Sequence, residues 1–98
     1  MRFIISQKVR QKLASKIPPV SEEEIQECFE NRLDDPIKDN REEHKTKPPT
    51  MWFIADTNHF RRLKIVFIQQ RSGKIVIKTA YEPDKTEEWI YEHETRQS

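Results

Sequence analysis

The residues in this chain best suited to chemistry are one loop histidine and a group of cations on neighbouring predicted strands. His44 lies in the polar run Arg41-Glu42-Glu43-His44-Lys45. An imidazole with its ordinary pKa of about 6.5 exchanges a proton near neutrality. Glu42 or Glu43 could orient that ring or act as the base. Arg62, Lys64 and Lys78 supply positive charge, and the Tyr81 phenol can donate a hydrogen bond or stack. This set suits attack of a ribose 2′-hydroxyl on the adjacent phosphate. That reaction needs a base for the hydroxyl, an acid for the leaving 5′-oxygen and cations for the charge building on phosphorus. Arg41, Lys45, Arg61 and Trp52 would then hold the rest of an RNA, by charge and by stacking. The spacing alone does not demand catalysis, and a solvated loop histidine with surface lysines accounts for the same residues. His59 in a turn and His93 on a terminal helix carry less still.

Other chemistries are disfavoured. The chain has one cysteine, Cys28, so no internal disulfide can form. Cys28 and the three histidines have no zinc-ligand spacing, there is no glycine-rich phosphate loop, and no metal or cofactor is expected. Cys28 falls on an apolar helix stripe and reads as a small core residue. No apolar stretch reaches the ~18 residues of a membrane span. The N-terminal Phe-Ile-Ile is interrupted at once by Ser6-Gln7-Lys8, unlike a signal-peptide core. The expected location is cytoplasmic.

The elements that must position these residues follow from pattern. Phe3 to Ile5 is a short strand. A helix starts near Ser6, with Val9, Leu13 and Ile17 on its inner face, and ends at Pro18-Pro19. Ser21 with Glu24 forms a capping box, and Val20 with Ile25 forms a hydrophobic staple. That helix runs to about Arg32, with Ile25, Cys28 and Phe29 on one side. Residues 33–49 read as a long polar loop. Three strands follow, at 50–57, 60–70 and 74–81, the first of them apolar on both faces. Asp84 with Glu87 caps a closing helix anchored by Trp89 and Ile90, with Tyr91 and His93 beside them.

The Arg71-Ser72-Gly73 loop suits a three-residue hairpin with Gly73 left-handed. It predicts Gln70 opposite Lys74, Phe67 opposite Ile77, Ile65 opposite Thr79 and Leu63 opposite Tyr81. One face then holds Leu63, Ile65, Phe67, Ile75 and Ile77 as core. The other holds Arg62, Lys64, Val66, Val76 and Lys78, with Lys64 and Lys78 as diagonal neighbours about 7–8 Å apart. The expected fold is α/β (α+β), in the order β-α-α-β-β-β-α. Its sheet is mainly antiparallel with the helices on one face, and residues 1–98 form a single domain.

Charge is segregated along the chain although the net charge is +1. Residues 1–20 contain five bases and no acid, and residues 44–81 contain eight bases and one acid, Asp56. Residues 21–43 contain ten acids against three bases, and residues 82–98 six against two. A near-neutral chain can therefore build a local positive field where the strands meet.

The hairpin FRRLKIVFIQQRSGKIVIKTAYEP and the helix with EEWIYEHE resemble the BrnT toxins of the RelE/ParE superfamily. In those proteins a polar loop with Asp and Arg precedes a strand, as DNREEHKT does here. A hairpin then ends in a basic strand followed by a helix with a late tyrosine, here Tyr91. The chain also resembles small bacterial proteins with REEH, PPT-x-WFIA and IVIKTAYEP segments, often labelled ADP-ribosyl-(dinitrogen reductase) hydrolase. It has neither the length nor the acidic metal cluster of true ADP-ribosylhydrolases. The resemblance implies a RelE/BrnT-like fold and a metal-independent endoribonuclease toxin of a type II toxin–antitoxin pair. Its partners would be RNA, free or on the ribosome, and a cognate antitoxin. ParE-like relatives share the fold without cutting RNA, so a noncatalytic binding toxin or regulator is the alternative.

Overall fold

In the computed structural model the described residues are 2–39 and 47–96. They form a small α+β fold: β1 (Phe3–Ile4), α1 (Gln7–Ala14), α2 (Glu22–Asn31), β2 (Ile37–Lys38), β3 (Thr50–Asp56), β4 (Arg62–Gln69), β5 (Ile75–Tyr81) and α3 (Lys85–Thr95). The sheet order is β1-β5-β4-β3-β2. The β1–β5 pairing is parallel and the other three are antiparallel. One element differs from the expected order, since the predicted loop 33–49 contributes the edge strand β2. Two residues are too short a run for alternation to reveal.

The local start signals are as expected. Ser6 caps α1 through Val9 N–H, and both reciprocal bonds of the Ser21/Glu24 and Asp84/Glu87 capping boxes are present. Gly73 takes φ +91° in the hairpin, the left-handed conformation that glycine adopts without steric cost. Ile17 does not continue the α1 stripe. It follows the last turn of the helix and is 98% exposed.

Leu63, Ile65, Phe67, Ile75 and Ile77 form the core face as predicted, with Phe53 among them. Phe29 of α2 packs at 4.7 Å on Phe53 and 5.3 Å on Phe67. Cys28 is fully buried and its thiol points at the Ala55 carbonyl, 3.5 Å away. Burial, with Asp56 and Glu24 nearby, pushes that thiol up to about 12. A disulfide reagent at pH 8 is therefore expected to leave the folded protein unmodified and to titrate Cys28 only in denaturant. Rapid labelling of the native state would contradict this burial.

The helices do not share one face. Along β3, Phe53 points toward α2, whereas Trp52 points the other way and meets Tyr91 of α3 at 5.6 Å. The Tyr91 hydroxyl bonds the carbonyls of Asp34 and Asp35 at 3.0 and 3.2 Å, tying α3 to the loop before β2. Thus α1 and α2 cover one side of the sheet and α3 part of the other. This explains why Leu63 through Phe67 of the central strand β4 are all buried. Trp89 and Ile90 are not the anchors of α3, being 63% and 37% exposed; Tyr91 is the buried residue.

The hairpin register holds only near the turn. Gln70 N–H bonds the Lys74 carbonyl at 2.8 Å and Phe67 faces Ile77. A bulge between Val66 and Phe67 then shifts the pairing by one. Ile65 faces Ala80 rather than Thr79, and Tyr81 faces Lys64 rather than Leu63. An extra residue of this kind leaves both flanking segments with their apolar side chains inward.

Candidate functional site

The bulge and α3 together remove the expected pairing of Lys64 with Lys78. Lys78 is the extra residue at the bulge and is exposed. Lys64 is only 5% exposed. Its ammonium lies 2.8 Å from Glu87 Oε2, 4.3 Å from the centre of the Trp52 ring and 5.5 Å from that of Tyr81. The Tyr81 hydroxyl donates to the same Glu87 oxygen, while Glu87 Oε1 accepts from Asp84 N–H in the capping box. A cation between two aromatic faces and a carboxylate is compensated where it stands. It is not a receptor waiting for phosphate.

The electrostatics of this cage agree with its geometry. Burial raises the Glu87 carboxyl, but hydrogen bonds from Lys64, Tyr81 and the Asp84 backbone outweigh it and hold Glu87 below its ordinary pKa. Burial, with the bond to Glu87, raises the Tyr81 phenol, and Lys64 opposes that shift. Among the described residues no buried side-chain nitrogen or oxygen lacks a hydrogen-bond partner.

Other predicted site residues are also committed. Arg62 bonds Asp56 and Glu88 at 3.1 and 3.3 Å. Arg61 binds Glu24 and Glu82, each at 3.1 Å, and both carbonyls of Pro18 and Pro19 at 2.8 Å. It therefore joins the α1–α2 turn to the sheet, with four of its five N–H donors engaged inside the protein. Trp52 is 6% exposed beneath α3, so little of its ring is open to a base, and that little lines a cavity of about 660 Å³ with Lys64 and Glu87. Arg41, Glu42, His44 and Lys45 lie outside the described residues.

The uncommitted positive charge sits at the other end of the strands. Lys47 and Arg71 line a cavity of about 830 Å³ with Pro48, Met51, Gln69 and Gln70. Arg2 precedes Phe3, which pairs with Ile75, so the parallel register sets Arg2 beside Lys74 on the adjacent strand. Lys78 lies four residues farther along β5. All five cations are exposed, and none forms an ion pair with a described residue. The segments 2–4, 47–51 and 68–78 at this hairpin end contain no acidic residue; the adjoining acid is Asp39, just after β2, which is 9% exposed and whose N–H bonds the Thr50 carbonyl at 2.8 Å. Sequence reasoning singled out Lys78 but missed Arg2, Lys47, Arg71 and Lys74. The acid-free run was the available signal, while the β1–β5 pairing that adds Arg2 was not predictable from local pattern.

Among the described residues no group of three or more His, Cys, Asp or Glu side chains is placed to hold a metal ion. No helix there is long and apolar enough to cross a membrane. Comparison with models of known protein families, with curated proteins and with solved structures finds no match.

Proposed function

We propose that this chain acts on RNA as the toxin of a toxin–antitoxin pair, holding RNA phosphates at the basic hairpin end. The observation that carries this reading is the cluster of Arg2, Lys47, Arg71, Lys74 and Lys78, exposed together without acidic residues in their segments. Uncompensated cations gain from phosphate by releasing its condensed counterions, whereas Arg61, Arg62 and Lys64 already hold carboxylates. Cleavage would run by attack of the 2′-hydroxyl on phosphorus with departure of the 5′-oxygen, at an unpaired nucleotide beside the phosphates that this cluster holds. His44 and Glu42, which precede Lys47 by three and five residues, would supply proton transfer. An antitoxin with an acidic segment would neutralise the same end.

The test is growth arrest on expression, together with incubation of purified protein with RNA, with and without ribosomes. Wild type is expected to arrest growth and cut RNA. The charge-reversed variant R71E/K74E is expected to do neither while unfolding at the same urea concentration. A fully toxic R71E/K74E overturns the assignment of the surface. RNA bound but left whole favours the second reading, a noncatalytic toxin or regulator. The observation behind that alternative is the cage, which occupies Lys64 and Tyr81 with Glu87.

A further inference from the structure

We infer that the RNA held at the hairpin end is double-helical, recognised by its backbone and not by stacking on its bases. This rests on the RNA reading above and names the class of RNA it concerns. Sites for single strands combine a basic groove with exposed aromatic rings on which successive bases stack. Among the described residues the hairpin end has the charge without a fully exposed ring. Within segments 2–4, 47–51 and 68–78 the one aromatic residue is Phe3, which packs at 5.1 Å on Phe29 of the core.

Phe3 is half-buried there, and the other exposed or half-exposed rings lie elsewhere. Phe60 and Tyr81 sit at the opposite ends of β4 and β5, and Tyr81 is held by Glu87. Trp89, on α3, is stacked on His93 at 4.9 Å. What accompanies the cations is Pro48, Met51, Gln69 and Gln70, none of them aromatic.

The cations are also spread out. Lys74, just before β5, and Lys78 within it are four residues apart, about 13 Å at strand rise. Arg2 lies one strand spacing from Lys74, and Arg71 with Lys47 extends the array past the turn. No single phosphate can meet them all, so they match phosphates displayed on a rigid surface. A duplex fixes such phosphates in place, whereas a flexible strand must be ordered first. Duplex also carries the denser counterion atmosphere, so a site that reads charge alone favours it.

The probes are a 16-base-pair RNA duplex and one of its separated strands, both labelled, measured by fluorescence anisotropy with the full chain at 50 and 200 mM KCl. The duplex is expected to bind at least about fivefold tighter. With five contacts its log–log salt slope is expected near −4.5, and R71Q/K74Q should reduce that slope by roughly two. Equal or tighter binding of the single strand overturns the inference while leaving RNA as the ligand. An unchanged slope in R71Q/K74Q overturns the choice of surface. Failure of both RNAs to bind at 50 mM KCl overturns the RNA reading itself.

Discussion

Phe53→Ala is expected to lower the unfolding free energy by about 3–5 kcal/mol, the range for truncating a fully enclosed aromatic residue. Phe53 has no exposed surface, and its ring meets Phe29 at 4.7 Å and Phe67 at 6.0 Å. Those rings come from α2 and β4, so the hole would lie at the contact that joins the helical layer to the sheet. The surrounding β3 and β4 backbones are fixed by their antiparallel ladder and cannot close onto it. A loss this large is a substantial part of the total stability of a small domain. The measurement is urea unfolding followed by tryptophan fluorescence, with Phe53→Leu as a milder companion expected to cost less. A shift within about 0.5 kcal/mol for Phe53→Ala would contradict the placement of the core.

Lys64→Ala is expected to destabilise by about 3 kcal/mol, because it leaves the Glu87 carboxylate without its counter-charge and opens space between Trp52 and Tyr81. The partial exposure of Glu87, whose side chain is 20% accessible, keeps the figure at the low end for a buried pair. The double variant K64M/E87Q, which removes both charges and refills the volume, is expected to recover most of that loss. Acid gives the same cage a second signature. Glu87 has a depressed pKa in the folded state, so its contribution is fully present above the ordinary glutamate pKa. It fades as the pH falls through the depressed value. K64M/E87Q should lack this step in its stability profile. If Lys64→Ala unfolds like wild type yet loses RNA binding, Lys64 is a ligand contact, and the cage described here is not its main role.

The Lys64 result also bears on the ribonuclease mechanism expected from sequence. That mechanism required Lys64 and Lys78 to emerge together on an open face. Alternation along FRRLKIVFIQQ correctly assigned the two faces of β4, but alternation carries no information on what covers the second one. A signal was available in TMWFIAD, where Trp52 and Ile54 alternate with Phe53 and Ala55. A strand apolar on both sides is a strand covered on both sides. The charged partners of Lys64 and Arg62 were equally visible as the acids Glu87 and Glu88 in the first turn of the last helix. Helix-dipole and capping reasoning accounts for those acids locally, which hides their second role across the sheet.

Local chemistry by itself determined the helix starts at Ser6, Ser21 and Asp84, the glycine-bearing hairpin, and the inward set from Leu63 to Ile77. Caps, turns and period-two alternation act over a few residues, so the information needed for them is local. Tertiary structure alone decided the bulge opposite Val66, the seat of α3 and the parallel docking of β1 that sets Arg2 beside Lys74. These depend on how layers distant in sequence exclude water from one another. That competition decided which cations were neutralised and which were left facing solvent.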